Sequence, residues 1–564
     1  MTNQISAKEY PLLKVFCSDF EYHIPSYQRP YSWEERHTET LIDNLYDFYS
    51  NNRDKNYFLG SIVLIKKDER KPESDVIDGQ QRLTTLSIIL ACIASKLNGK
   101  SRQDCEGYLM EPGNTIAKLA EKPRLFLRKK DQSFFKQFIQ EIQINRLLAR
   151  DPETYPNEAQ KHIHMNCKII MERLEEYFSN DSAQILSFCQ FLMSQCYLVV
   201  VTTADEESAW RIFSVMNTTG LDLSPTDIIK SEIIQKLPDA DEETYTDKWE
   251  DMEIKVSRQG FAELFSHLRM IEIKEKAKSS LLDEFRKHIL PGILSNPANF
   301  IDNTLEKYVD AFYSLKHNCV NLTNNSDEIN NCLRWLNRID NSDWLPCAIK
   351  FLADKQSDSD YVLWFIRNLE RLASYLFITS KDINKRIIRY AQILTEMENY
   401  PNHDNNNHLK SIELSQEEKK EFISTLDGEI YKMTSQRRNY VILRLDSFVS
   451  TGGAIYDQKV LTIEHVLPQT VYGTAWENLW PNENDRATWL NRIANLVPLT
   501  RKKNSQAQNY DFDTKKNTYF VGPGGTSSYA LTTQVLQETN WTKQIVEARQ
   551  QNLINIFTTK WELS

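Results

Sequence analysis

The chain has 564 residues, of which 41% are hydrophobic and 11% aromatic, and its formal net charge is −10. At roughly 150 residues per domain it is too long for a single core, and its apolar content excludes a disordered chain. Nine cysteines stand singly at 17, 92, 105, 167, 189, 196, 319, 332 and 347 with no Cys-x-x-Cys pair, which argues for a reducing compartment and against a structural zinc site.

The first residues, Met1-Thr2-Asn3-Gln4-Ile5, carry no basic-then-apolar leader pattern, and no unbroken apolar run approaches the ~20 residues of a membrane span. The expectation is a soluble, cytoplasmic protein with no membrane partner. Charge is distributed unevenly. From Arg437 onward there are 14 Lys/Arg against 11 Asp/Glu, a balance of +3 that leaves −13 for the rest. That is weak support for a DNA-facing C-terminal module.

Ile24-Pro25-Ser26-Tyr27-Gln28-Arg29-Pro30-Tyr31-Ser32-Trp33 reads as an extended, aromatic segment before a helix beginning near Trp33. Its aromatics are read as core or lid residues. Phe58 to Leu64 reads as a strand. Val76-Ile77-Asp78-Gly79-Gln80-Gln81-Arg82 then leads into a buried helix through Leu97, with Asp78 expected as its cap and Gln81 completing a capping-box-like pair. Arg82 fits that helix less well, because a cation in the first turn opposes the dipole unless an anion sits there too. A phosphate held by backbone N–H groups and the arginine resolves the conflict.

His162 and His164 fall two apart on a probable helix, so they point to different faces and are given no ligand role. Cys196 to Thr203 reads as a central strand. Ala209 to Lys230 reads as helix, Gly-containing loop and new helix, with Ser224 as cap, Pro225 at the first position and Asp227 in the first turn. No Gly-x-x-x-x-Gly-Lys-Ser/Thr loop occurs anywhere, so any nucleotide chemistry is not of the P-loop type.

From Asp239 to about Arg438 the pattern is of successive amphipathic helices, including Phe261 to Ile273, Leu281 to Ile289, Leu305 to Leu315 and Tyr361 to Leu376. Pro401 to His408 is a polar loop. Its two histidines, His403 and His408, are read as solvated.

Thr462-Ile463-Glu464-His465-Val466-Leu467-Pro468-Gln469 is the most informative stretch, with Asn495 and Asn504 further on. A hydrolytic phosphodiesterase needs an oxygen ligand for a divalent ion, a neutral imidazole to accept a proton from water, and polar groups that fix both. Glu464, His465, Asn495 and Asn504 are side chains of those kinds. Arg492 to Thr500 reads as a short apolar strand, and Arg501-Lys502-Lys503-Asn504-Ser505 opens a basic stretch of helical character. Val521 to Gly525 reads as a plain loop, and Leu531 to Trp561 as a helix with Val535, Leu536, Trp541, Ile545, Leu553, Ile556 and Phe557 facing a core.

The 462–504 region resembles the HNH nuclease domain, in which an acidic residue and His precede Ile/Val-x-Pro-Gln and two asparagines follow nine positions apart. The resemblance implies a ββα-metal unit in which Glu464 and Asn504 hold Mg²⁺ or Mn²⁺, His465 activates the water and Asn495 supports the loop that orients the histidine. Glu stands where many members have Asp or His, and Asn where some have His; an all-oxygen set favours a hard ion over zinc. Arg501, Lys502 and Lys503 are expected to contact DNA phosphates.

The N-terminal motifs resemble the N-terminal domain of GmrSD-type modification-dependent (type IV) restriction endonucleases, whose core is similar to the ParB/sulfiredoxin fold. The resemblance rests on Ile-Pro-x-Tyr-Gln-Arg-x-Tyr-x-Trp, Phe-Leu-Gly, Asp-Gly-Gln-Gln-Arg-Leu-Thr-Thr-Leu and the 209–230 run, and spans about residues 10 to 235. It implies binding and hydrolysis of a nucleoside triphosphate, GTP or ATP, at Gln28, Arg29, Asp78, Gln81 and Arg82, with Asn217 and Asp227 as further candidates. Phe512 and Lys515 continue the resemblance to the nuclease domain of the same family.

The expected fold is α+β and mainly helical. It comprises a ParB/sulfiredoxin-like α/β nucleotide-binding domain at 1–237, a helical region at 238–436 and a C-terminal ββα-metal (HNH) nuclease domain at 437–564. The expected function is a metal-dependent DNA endonuclease of bacterial anti-phage defence, regulated by the N-terminal domain. Its expected partners are double-stranded DNA, including modified phage DNA, and a homo-oligomer or a separate defence-system protein. The alternative is a nucleotide-dependent switch, or a DNA-binding subunit with an inactive nuclease domain, acting with a partner protein.

Overall fold

The computed structural model describes residues 5–52, 55–68, 70–113, 116, 120–205, 208–209, 212, 224–399, 409–450, 456, 461–500, 509–521 and 527–564. The chain is α+β and mainly helical, as the sequence pattern predicts. It divides into two compact units, Met1–Lys248 and Trp249–Ser564.

The first unit is built on a six-stranded mixed sheet. Its strand order is Ser6–Pro11, Cys196–Thr203, Tyr57–Ile65, Glu73–Asp78, Glu21–His23, Leu125–Phe126. The Cys196 strand lies between an antiparallel edge strand, Ser6–Pro11, and the parallel strand Tyr57–Ile65, so it is interior as expected. Its run of Val199, Val200 and Val201 suits a strand covered on both faces. Against the sheet packs the helix Gln80–Lys96, with fourteen buried residues. An almost unbroken apolar run is what such a wholly enclosed helix requires.

That helix begins differently from the expectation. Its N-cap is Gly79, in the left-handed region at φ 95°, and no side chain caps it. A Cβ at Gly79 would lie 2.3 Å from Ile62 Cγ2, so only glycine fits the turn. Asp78 is therefore the last residue of its strand and not a cap, and Gln81 makes no capping box. At the 224–227 cap the expectation holds: Ser224 and Asp227 form a reciprocal capping box with Pro225 at the first position of the helix Pro225–Ile234.

In the second unit, Phe261 to Ile273 lies within the helix Arg258–Ile273 and Tyr361 to Leu376 within Ser359–Ile378. The 281–289 stretch is helical too, its second half a turn of π-helix, and 305–315 runs from the end of the π-helical turn Ile301–Leu305 into the α-helix Glu306–His317. The buried Glu370 carboxylate accepts from Arg444 Nε at 3.1 Å and, through its other oxygen, from Trp561 Nε1 at 3.1 Å. One charge thereby joins three helical segments far apart in sequence, and its satisfied bonds offset the cost of burying it.

The tail is two helices and not one. Ala530–Gln537 and Lys543–Lys560 are separated at Glu538, whose backbone is extended. The break lets Trp541 turn inward to become fully buried. Ile554 occupies the buried position beside Leu553, while Ile556 is only half-buried. Asn217, His403, His408, Arg501, Lys502, Lys503, Asn504 and the 522–525 loop, named from the sequence, lie outside the described residues.

Candidate nuclease and nucleotide sites

Leu461–His465 and Leu496–Thr500 form a two-stranded antiparallel ribbon in which His465 faces Leu496, Glu464 faces Val497 and Ile463 faces Pro498. Each strand has one neighbour, so Pro498 costs no ladder bond on its open side. Its carbonyl accepts from Thr532 Oγ1 at 2.7 Å. The stretch 493–495, expected as strand, is a turn of 3₁₀-helix that delivers Asn495 to the start of the second strand. The helical turns that follow, Phe512–Thr514 and Lys515–Phe520, pack on the core around Val497, Leu499, Trp476 and Trp541.

Asn495 is fully buried, and every polar atom of its side chain is used. Its Oδ1 accepts from Leu467 N at 2.7 Å and from Trp541 Nε1 at 3.1 Å, while Nδ2 donates to Leu467 O at 3.0 Å and Leu490 O at 2.9 Å. Its own carbonyl accepts from Val466 N at 2.9 Å. The two residues after His465 are thus clamped to Asn495 on both sides of the backbone. The helix Lys543–Lys560 braces the clamp from behind: Arg549 donates to Ala494 O at 2.6 Å and Gln550 Oε1 accepts from Ala494 N at 2.9 Å.

Side chains alternate along a strand, so Glu464 and His465 leave the ribbon in different directions. Glu464 Oε1 meets Lys515 Nζ at 3.1 Å, and the same ammonium donates to His465 O at 2.8 Å. Lys515 has no exposed surface. Burial pushes the Glu464 carboxyl above its ordinary range, with Lys515 opposing, and burial lowers the Lys515 ammonium.

His465 has 5% of its surface exposed and packs its ring 4.0 Å, centroid to centroid, from that of Tyr431. Burial draws its pKa down to about 4, against a hydrogen bond to the Asn491 side chain, which accepts from the ring. The imidazole is neutral at pH 7, as a general base must be. Its Nε2 is buried and has no hydrogen-bond partner among the described residues. Tyr431 is held in turn by its backbone: its N–H donates to Asn491 O at 3.0 Å and its carbonyl accepts from Arg438 at 3.0 Å, the guanidinium lying 4.5 Å from the ring.

The structure gathers Glu464, His465 and Asn495 at one end of the ribbon. For a hard divalent ion, the Glu464 carboxylate offers the right donor chemistry. Its second expected partner, Asn504, lies outside the described residues, and among the described residues no cluster of three or more His, Cys, Asp or Glu is present. Tyr431, Asn491 and Trp541 were not singled out as site residues from the sequence. No local spacing marks them, because each reaches the ribbon from another element.

In the first unit, the 24–33 segment is stapled to the start of the helix Gln80–Lys96. Gln28 Nε2 donates to Ile77 O at 3.0 Å, and Gln81 accepts from Ser32 N at 2.8 Å and donates to Pro30 O at 3.1 Å. Gln80, which the sequence reading passed over, donates to Arg29 O at 2.9 Å. Arg82 reaches back to Ser61 O at 2.6 Å, and a Cβ at Gly60 would be 3.1 Å from its guanidinium carbon. Burial lowers the Arg82 pKa, with Asp78 opposing. Gln28, Arg29, Asp78, Gln81 and Arg82 therefore converge on one helix start, with Gln28 and Gln81 occupied in holding the backbone. Asp227 bonds Ser224 N at 2.7 Å within its own cap.

Two family models match the chain: GmrSD restriction endonuclease, N-terminal domain, over residues 12–234, and GmrSD restriction endonucleases, C-terminal domain, over residues 416–556. No curated protein matches it.

Proposed function

The chain belongs to the GmrSD restriction endonuclease family, and from that premise we propose that it is a metal-dependent DNA endonuclease of anti-phage defence whose cutting is governed by an N-terminal nucleotide site. Family membership makes DNA the substrate class. The observation that carries the finer reading is the placement of Glu464, His465 and the Asn495 clamp at one ribbon end.

His465, neutral at pH 7, takes the proton from the attacking water, and Asn495 fixes the backbone from which the imidazole springs. Glu464, with Asn504, would hold Mg²⁺ or Mn²⁺, which supplies charge stabilisation at the scissile phosphate. Arg501, Lys502 and Lys503 would bind backbone phosphates without reading sequence. Nε2 is buried here, so water reaches it only through a local opening beside the Tyr431 ring.

Arg82, Asp78 and Arg29, at the start of the helix Gln80–Lys96, bind the nucleoside triphosphate, GTP or ATP, and the chain hydrolyses it. A cation with a lowered pKa at a helix N-terminus supports an anion there. The protein acts in the cytoplasm; no described helix is long and apolar enough to cross a membrane. Modified phage DNA is the proposed target, cut by a homo-oligomer or together with a defence-system partner.

The test is cleavage of modified and unmodified phage DNA with Mg²⁺ or Mn²⁺, with and without each triphosphate. The expected result is cutting that chelation abolishes and that folded His465→Ala lacks. The sealed imidazole favours one second reading, a nucleotide-dependent switch or DNA-binding subunit with an inactive nuclease domain. Absence of cutting under every metal and nucleotide would select it. Arg82→Ala is expected to abolish nucleotide binding, and unchanged binding by calorimetry would retire that assignment.

A further inference from the structure

At the edge of the six-stranded sheet a polar cleft of about 230 Å³ is lined by Lys8, Lys66, Arg70 and Lys71. Asp19 is the one carboxylate among its described lining residues, and Phe20 forms part of the wall. Lys8 has a plain structural explanation, since a lysine on an edge strand discourages pairing with another chain. Lys66 has none. It is 6% exposed, donates to the Asp19 main-chain carbonyl at 3.0 Å and lies 4.8 Å from the centre of the Phe20 ring. No carboxylate among the described residues pairs with it. Among the described residues the Arg70 guanidinium pairs only with Asp68, at 3.6 Å.

A buried ammonium with a carbonyl and a ring face for company lacks the counter-charge that buried cations ordinarily have. Three further cations around the same cleft raise the local potential. We propose that this cleft is a second anion site, which takes a phosphate group and is separate from the Arg82 site. Arg82 bonds Ser61, five residues before Lys66 on the same strand direction, so the two sites stand about 16 Å apart at 3.3 Å per residue.

The volume decides between the sources of that phosphate. A cleft of about 230 Å³ is smaller than the roughly 300–1,000 Å³ of pockets that enclose a whole small ligand. It fits one phosphate with its adjoining sugar, as presented by a DNA backbone. Exposed Lys8, Arg70 and Lys71 at the rim then meet neighbouring phosphates, and the contact adds affinity without reading sequence.

The test uses the full chain in metal-free buffer, so that no DNA is cut and the outcome is independent of any role of His465. Binding of a 20-base-pair duplex and of inorganic tripolyphosphate is measured against salt for Lys66→Met, Lys66→Arg and the rim double variant Arg70→Ala/Lys71→Ala, each checked for an unchanged melting temperature. The expected result is duplex affinity several-fold weaker in Lys66→Met on every sequence, a salt slope reduced by about 1, and retention in Lys66→Arg. If Lys66→Met does not fold, the double variant carries the test, with a slope reduced by about 2. A loss confined to tripolyphosphate keeps the anion site and assigns it to free phosphates. Folded variants with unchanged binding in both arms overturn the proposal.

Discussion

The ring of Tyr431 packs on the imidazole of His465, 4.0 Å away and inclined by 53°, on a catalytic candidate whose Nε2 is buried and has no hydrogen-bond partner among the described residues. An imidazole so covered reacts slowly with an electrophile from solvent. Tyr431→Ala is therefore expected to speed carbethoxylation of His465 by diethylpyrocarbonate several-fold, read by peptide mass spectrometry. Tyr431→Phe should leave the rate unchanged, since the contact uses the ring face. Equal rates in Tyr431→Ala and the parent would show that something else shields the histidine.

Removing the Asn495 side chain strands Leu467 N, Leu467 O, Leu490 O and Trp541 Nε1 together. An unsatisfied buried group costs about 1–3 kcal/mol, and relaxation shares the loss among the four. Asn495→Ala is expected to destabilise the second unit by about 3 kcal/mol in urea titration and to abolish cutting. A loss under 1 kcal/mol would mean that the clamp does not hold the loop.

The buried Lys515 is the counter-charge of Glu464. Breaking such a pair by removing one partner costs about 3–5 kcal/mol, whereas removing both can be nearly neutral. Lys515→Met should accordingly destabilise strongly at pH 7 and progressively less as the pH is lowered, because the raised Glu464 carboxyl is protonated more readily than an ordinary one. Glu464→Gln/Lys515→Met should recover most of the loss. A double variant no more stable than Lys515→Met would dissolve the pairing argument.

His465 also writes a pH dependence into stability. Its folded pKa of about 4 lies below the ~6.5 of an unfolded histidine, so between those values the unfolded state binds the extra proton. Stability from this group is complete above pH 6.5 and lost as pH falls towards 4, at up to about 1.4 kcal/mol per pH unit. In metal-free buffer, the denaturation midpoint of the parent should fall more steeply from pH 7 to 5 than that of His465→Gln. Parallel profiles would place the titration elsewhere.

Much of this was legible from residue order because the signals are local. Pro225 behind Ser224 dictates a helix start, and the valines of Cys196–Thr203 dictate an interior strand. Asp78 fits the residue preferences of a cap, but those preferences do not register that the next residue turns in the left-handed region with no room for a Cβ beside Ile62. The tail read as one helix because Thr539, Asn540 and Trp541 do not forbid one; Trp541 breaks it by entering a core built from other segments. The ribbon's strands and Asn495 could be read locally. The cover from Tyr431 could not, since it depends on a turn contributed by the preceding helical region.

The brace behind Asn495 has a consequence for the order of synthesis. Trp541, Arg549 and Gln550 are translated after His465 and Asn495, yet they hold the turn on which both depend. A ribosome-bound chain that already displays the Glu-His strand still lacks its support. The proposed cutting centre is thus assembled last, and a prematurely terminated product would carry its motif without its support.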